Sequence, residues 1–352
     1  MGAHIIDQFM KHNTGKVYCL IRPKNGINPT KRLTEFLDFY FGKKYLNQIG
    51  KRINIIKGDI TQNKLGLSDN DYNSIINNID VVINSGAIVK HYGLKQQFED
   101  INVLGTKNVV DFCKKENKRL LHISTISVSG SGEKEEAIDD TNKKLIDKKQ
   151  FSENTLYIGQ KIKGIYTTTK YRAELIVLEA IAEGLDAQIL RLGNITSRYS
   201  DGVFQQNVDN NAFAKRLKSF IEIEAIPKYL LNHSIELTPV DLAAESIIYI
   251  LNSTSICNVF HIFDTKLLPV TLLLTTLNDL GFEILPISNS MMSSLLTGIL
   301  ADDTKKDILS GIIYDLDDNK QLIYTYDINL NSAFTEQYLK NLGFEWKEIN
   351  QD

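Results

Sequence analysis

Residues 80–124, DVVINSGAIVKHYGLKQQFEDINVLGTKNVVDFCKKENKRLLHIS, hold a short β-branched run, a longer stretch of helical periodicity and a second β-branched run. Strand, helix and strand in that order predict two parallel strands joined by a crossover helix. The alternation extends outward in both directions. Upstream lie a strand over 17–21 (VYCLI), a helix over 31–46 and a strand over 53–56 that ends on Gly58-Asp59. The unit itself reads as a strand over 80–84, a helix over about 96–116 and a strand over 120–124. Downstream, after a polar insertion over 130–160, come a helix near 168–183 and a strand over 187–191 (AQILR). The expectation is an α/β protein with a Rossmann-type, doubly wound parallel sheet, whose ligands lie beyond the carboxyl ends of the strands.

Beyond residue 205 the pattern changes to apolar helical segments over 211–223, 241–251, 272–280, 291–300 and 334–342, with one strand-like run over 259–263. This predicts a nucleotide-binding domain over 1–205 and a smaller, mostly helical C-terminal subdomain over 206–352. The polar insertion reads as a surface excursion over the site or as a solvated loop.

Composition excludes several classes. With 40 Lys plus Arg against 43 Asp plus Glu, the net charge of −3 argues against a protein that neutralises a nucleic-acid backbone. Hydrophobic residues at 43% and charged residues at 24% are those of a folded chain. Cys19, Cys113 and Cys257 form no C-x-x-C pair, and the six histidines show no ligand spacing, so neither a disulfide framework nor a metal site is expected. No run of 18 apolar residues and no secretion-type N-terminus is visible, which places the chain in the cytoplasm and off the membrane.

A nucleotide-binding sheet of this kind should open on a strand and a glycine-rich turn that cradles the pyrophosphate. Here the sequence opens on Met1-Gly2-Ala3-His4-Ile5-Ile6, resembling the last glycine of such a loop followed at once by its helix. The expectation is that the central first strand and most of the phosphate loop are missing from the start of the chain.

Tyr-x-x-x-Lys sets a phenol and an ammonium one helical turn apart, where the cation would draw the phenol down toward working pH. Chance alone gives about one such match in a chain with this many tyrosines and lysines, and three occur: Tyr40/Lys44, Tyr157/Lys161 and Tyr166/Lys170. Context favours the third. It starts a helix whose apolar positions Leu175, Ile176, Leu178 and Ala182 continue the period, between two expected parallel strands. Tyr40/Lys44 lies at the end of an earlier helix, away from the cleft, and reads as surface; Tyr157/Lys161 lies in a Gly-containing stretch without a helical face. Ser124-Thr125 ends the strand LLHI and would point a hydroxyl into the same cleft, or serve as a turn-forming Ser/Thr. Arg22 follows the second strand of such a sheet, where an acidic residue suits the ribose hydroxyls of NAD and an arginine suits the 2′-phosphate of NADP; NADPH is expected.

Together these segments resemble the extended short-chain dehydrogenases and, within them, the thioester reductase domains that end non-ribosomal peptide synthetases. The resemblance rests on GAHIIDQF, VYCLIRP, KGDIT, DVVINSGAIVKHYG, INVLGTKNVVDFC, LLHISTISVSG, YTTTKYRAELIVLEA, QILRLGNITSRYSDGVFQ, ELTPVDLAAESI and LGFEW, from Gly2 to about Trp346. It implies that Gly2 closes the phosphate loop and that Arg22 meets the 2′-phosphate. Asp59 and Ile60 would lie on the adenine side, and Asn84, Ser85, Gly86 and Ala87 under the ribose and nicotinamide. Thr125, Tyr166 and Lys170 would be the catalytic triad, Lys170 also binding the cofactor ribose. Gly193 and Asn194 would flank the nicotinamide and the entering substrate arm. Ser197 and Thr169 depart from the usual glycine and serine.

The activity so implied is NADPH-dependent reductive release of an acyl or peptidyl thioester, carried on the phosphopantetheine of a carrier (thiolation) domain, as an aldehyde, which a second cycle would turn into an alcohol. Two alternatives stay open: a free-standing extended short-chain dehydrogenase acting on acyl-CoA or a nucleotide sugar, and a non-catalytic NADP-binding protein.

Overall fold

The computed structural model describes residues 1–23, 26–90, 93–130, 150–208, 211–255, 257–302, 304–313, 316, 322 and 328–348. Strands β1 (Val17–Ile21) and β2 (Ile53–Lys57) pair in parallel, Val17 opposite Ile53. Strands β3 (Val81–Asn84), β4 (Arg119–Thr125), β5 (Ala187–Leu192) and β6 (Val259–Ile262) form a four-stranded parallel sheet in the order β6-β5-β4-β3. Among the described residues no ladder joins the first pair to this sheet. All six positions of β5 are buried, as a strand covered on both faces requires.

Helix α1 (Gly2–His12) packs on α7 (Val240–Leu251), introduced by the run after residue 205. Helix α2 (Pro29–Phe41) begins on the Asn28 cap, whose side chain accepts from Lys31 N at 3.1 Å, with proline in its first turn. The helix expected over 31–46 is in fact two segments, because Gly42 adopts φ 57° and the chain continues as a 3₁₀ turn over Gly42–Gln48. Helix α3 (Asp69–Ile76) starts at Ser68 and has no counterpart in the periodicity. The expected helix over 96–116 runs through a π-helical stretch, Glu99–Leu104, before α4 (Gly105–Lys115). Such π-bulges are frequent at functional sites.

Helix α5 (Ile165–Ala182) lies where the sequence placed it, and its buried face matches in part. Ile176 and Leu178 are half-buried against the core, but Leu175 and Ala182 are exposed, whereas Thr169, Lys170, Ala173, Glu174, Val177 and Ala180 are buried. Two ionisable side chains lie inward because each finds a partner there, which outweighs the apolar period.

The expected boundary at 205/206 does not divide the packing. Strand β6 is hydrogen-bonded to β5, and Leu242, Ile247, Phe260, Phe344 and Trp346 share one core with Ile5 and Leu190. Helix α10 (Ala333–Asn341) packs against this core too, through Leu339. A separate core joins α6 (Ala212–Ile223), α8 (Val270–Asp279) and α9 (Asn289–Ala301) through Phe220, Leu277, Met292 and Leu296. Of the polar insertion, residues 131–149 lie outside the described residues. Its end is not a solvated loop: Gln150–Phe151 pairs with Asn329–Leu330, and Phe151 is fully buried beneath the Arg191 guanidinium, 4.8 Å away. Among the described residues no helix is long and apolar enough to cross a membrane.

Candidate active site

Thr125 is the last residue of β4, and Tyr166 lies in the first turn of α5, which follows Gly164 at φ 83°. Strand end and helix start bring the two hydroxyls into hydrogen-bond contact. Burial pushes the Tyr166 phenol up to about 12, with the Thr125 hydrogen bond drawing it back. The expected fall toward working pH is therefore overturned. Burial is the reason, and the Lys170 ammonium is directed elsewhere: its Nζ turns to β4, donating to the Ile123 carbonyl at 2.7 Å and lying 3.3 Å from His122 Nε2. Burial lowers Lys170 to about 8, while the Glu174 carboxylate opposes that shift.

The other two Tyr-x-x-x-Lys pairs lie elsewhere. Lys44 is exposed, as expected, and its Nζ binds Asp7 Oδ1 at 2.9 Å, whereas Tyr40 is half-buried, with its ring 4.7 Å from that of His4. Tyr157 is exposed and outside any helix.

Beneath the Thr125–Tyr166–Lys170 group runs a buried polar network. Arg191 of β5, 1% exposed, binds Glu174 of α5, 0% exposed, through Nη2 at 2.9 Å and Nε at 3.1 Å. Ser124 Oγ donates to the same carboxylate at 2.5 Å, and Arg191 Nη1 donates to the Thr155 carbonyl at 2.9 Å and approaches His261 Nε2 at 3.2 Å. A buried ion pair is tolerable only when its remaining donors and acceptors are met in this way.

At the end of β5, Gly193 N donates to the Ile262 carbonyl at 3.0 Å. A Cβ at Gly193 would come within 2.5 Å of Glu236 Oε1 and of Phe263 Cβ, so only glycine fits. Asn194 N donates to Glu236 Oε2 at 2.6 Å, and Thr238 Oγ1 hydrogen-bonds the other carboxylate oxygen. Burial raises the Glu236 carboxyl to about 7, against the pull of the Thr238 and Asn194 hydrogen bonds.

After β3, Gly86 N donates to Asn84 Oδ1 at 3.2 Å, and Ser85 and Gly86 are exposed. Ala87 leads to Ile88, whose N–H and carbonyl are both held by the Asn102 amide, at 2.8 and 3.1 Å. The same Asn102 Nδ2 donates to Thr169 Oγ1 at 3.0 Å, so the π-helical stretch ties the loop after β3 to the buried face of α5. Gly2 faces this loop, with Ser85 Oγ 3.8 Å from where its Cβ would be. Ile60 fills the space against Gly86 and Gly105, its Cδ1 2.8 Å from a Cβ at either. Arg22 and Asp59, at the ends of β1 and β2, approach to 3.8 Å, and Arg32 Nη1 donates to the Arg22 carbonyl at 2.7 Å. Ser197 is half-buried, and its carbonyl accepts from Val240 N at 3.3 Å.

The structure thus brings Thr125, Tyr166 and Lys170 together and gathers Gly2, Asn84, Ser85 and Gly86 at one strand end. Gly193 and Asn194 lie at the end of β5, and Arg22 and Asp59 at the ends of the β1–β2 pair. Sequence reasoning missed Arg32, Asn102, His122, Glu174, Arg191 and Glu236. Only His122 and Arg191 carried a signal, as polar residues inside apolar strand runs.

Comparison with known proteins agrees with this geometry. A family model, NAD_binding_4, described as male sterility protein, matches residues 1–247. A linear gramicidin synthase of Brevibacillus parabrevis is 23% identical over 81% of this chain and 5% of its own length. L-2-aminoadipate reductase of Saccharomyces cerevisiae is 23% identical over 91% of this chain and 23% of its own length. The chain therefore spans only a small part of these curated relatives. Among solved structures, a thiolation-reductase di-domain from an archaeal non-ribosomal peptide synthetase superposes with a TM-score of 0.84 at 29% identity, covering 99% of this chain and 70% of that one. The terminal R domain of the myxalamid PKS-NRPS pathway gives 0.82 at 22% identity, covering 99% and 84%. With a family model matched from residue 1 to 247 and terminal reductase domains superposing over almost the whole chain, this protein belongs to the NAD-binding male sterility (thioester reductase) family.

Proposed function

We propose that this chain is an NADPH-dependent reductase domain that releases a carrier-bound acyl or peptidyl thioester as an aldehyde. The observation that carries the proposal is the hydrogen-bonded Thr125–Tyr166 pair, with Lys170 one turn further along the helix, at the carboxyl end of β4. The family and the di-domain relative support the choice of a carrier-bound substrate.

The residues suit a dinucleotide. Ser85 and Gly86 offer an exposed small-residue loop facing Gly2, Gly193 leaves no room for a side chain, and the exposed Arg22 guanidinium pairs with Asp59 only beyond hydrogen-bond distance. Gly2, Asn84, Ser85, Gly86 and Ala87 would hold the pyrophosphate and ribose, with Lys170 on the ribose. Arg22 would take the 2′-phosphate, Asp59 and Ile60 the adenine side, and Gly193 and Asn194 the nicotinamide end. When bound, the cofactor supplies the hydride.

The protein's part is to stabilise negative charge on the substrate carbonyl oxygen. Thr125 and Tyr166 place two hydroxyls side by side whose protons would turn from their present partners to that oxygen, and donors aimed at developing charge usually contribute the largest share of rate enhancement. Because burial keeps the phenol protonated, Tyr166 remains a donor across the neutral range.

The test is to offer a carrier-bound thioester, an acyl-CoA and a UDP-sugar separately and to follow NADPH absorbance. Oxidation with the carrier-bound thioester, and aldehyde in the product, is expected. Turnover confined to the UDP-sugar, or to none, would remove the proposal. Arg22→Ala is expected to weaken NADPH by about ten- to a hundredfold while leaving NADH nearly unchanged, the scale of one or two charge-assisted hydrogen bonds. Equal loss for both cofactors, measured by fluorescence titration, would take Arg22 off the 2′-phosphate.

A further inference from the structure

Lys170 contacts a residue that the mechanism above does not use. His122 lies on β4, is 1% exposed, and its Nε2 is 3.3 Å from Lys170 Nζ. On its other side, His122 Nδ1 is 3.3 Å from Asn84 Nδ2, and Asn84 Oδ1 accepts from Gly86 N at 3.2 Å. We propose that His122 is a positioning residue that presents its Nε2–H to Lys170 and so shifts Lys170 toward the neutral amine in the cofactor-free site, through the hydrogen-bond chain Gly86–Asn84–His122–Lys170.

Each link follows from what its donors and acceptors can do. The Gly86 N–H is a backbone donor and cannot reverse its role, so the Asn84 group facing it must be the carbonyl oxygen. The Asn84 amide nitrogen then faces His122 and donates to Nδ1. An accepting Nδ1 carries no proton, so the ring proton of neutral His122 lies on Nε2, pointing at Lys170. An ammonium has three donors and no acceptor, and would face that proton donor to donor. A neutral amine has a lone pair to accept it and two N–H groups left, one of which donates to the Ile123 carbonyl at 2.7 Å.

The surroundings favour this state. Burial holds His122 well below its usual range, and a charged Lys170 would lower it further, so the imidazole facing Lys170 is neutral in either state. The other groups near Lys170 on its own helix are Tyr166 and Glu174; Glu174 favours the ammonium but is already bound by Arg191 of β5 and Ser124 of β4. On the outer face of α5, Arg172 is engaged by Glu99 of the π-helical stretch. Deprotonation of Lys170 releases its proton to solvent and needs no partner.

Only the consequence for rate rests on the reductase reading, because the direct tests need neither substrate nor cofactor. In protein labelled with ¹⁵N-histidine, His122 is expected to show the Nε2–H tautomer at neutral pH; an Nδ1–H tautomer would overturn the proposal. In protein labelled with ¹³C-lysine, with the Lys170 signal assigned from Lys170→Arg, the Lys170 titration is the second readout. Asn84→Asp places a carboxylate against Nδ1, which forces the ring proton there and turns Nε2 into an acceptor for the ammonium. It is expected to switch the tautomer and raise the Lys170 midpoint by about one pH unit. His122→Phe, which removes the Nε2–H, is expected to raise it as well. A Lys170 midpoint unmoved in both variants would overturn the proposal even if the enzyme is an active reductase. Inactivity of wild-type protein toward thioesters would overturn the function while leaving the tautomer result standing.

Discussion

Tyr166→Phe is expected to lower kcat/KM for thioester reduction by about thirty- to a thousandfold, or ~2–4 kcal/mol of transition-state stabilisation, while leaving NADPH affinity nearly unchanged. The substitution removes one hydroxyl and little volume. In the structure that hydroxyl is hydrogen-bonded to Thr125, so the loss leaves Thr125 as the single donor toward a substrate oxygen. Phenol ionisation at about 12 lies above any practical assay range, so no limb of the pH profile should belong to Tyr166. A basic limb near 8 would instead report Lys170, whose proton is lost as pH rises through that value. Single-turnover measurement of aldehyde release, with NADPH binding measured in parallel, separates the two effects. Full aldehyde release by Tyr166→Phe would remove the phenol from the mechanism.

The largest stability effect is expected from Arg191→Leu. Its guanidinium is 1% exposed and holds a carboxylate that is 0% exposed, so the substitution strands Glu174 without its cation. Removing one partner of such a pair typically costs about 3–5 kcal/mol, a large share of the 5–15 kcal/mol that holds an ordinary domain folded. The midpoint of urea unfolding should fall accordingly. Adding Glu174→Gln should recover part of the loss, because the stranded charge is gone while Ser124 keeps a partner. If Arg191→Leu unfolds at the wild-type urea concentration, Glu174 cannot be an uncompensated anion, and the account of the network falls.

How far the sequence reached can be judged element by element. The runs VYCLI, DVVIN, LLHIS and AQILR became parallel strands within a residue or two of their expected limits, because β-branched runs between turn residues have few other ways to be buried. Tyr166/Lys170 was separated from two decoys by context alone, and the structure sets it beside Thr125. Other readings were revised for physical reasons. The helix over 31–46 broke where Gly42 takes a left-handed φ. Packing continues across residue 205, because β6, far along the chain, is a sheet partner of β5. The inward face of α5 was legible only in part: Ile176 and Leu178 pack on the core, but periodicity treats Lys170 and Glu174 as surface residues, whereas partners from β4 and β5 let both be buried.

The amino-acid sequence by itself determined the order of strands and helices, the carboxyl-end cleft and the tyrosine–lysine pair, since these depend on spacing along one chain. The tertiary structure alone decided the charge environment of that pair: a phenol raised by burial and a lysine turned toward His122. It also decided the ion pair that links helix α5 to the sheet. Desolvation and hydrogen bonding are set by neighbours tens of residues apart in the chain, which no local pattern records.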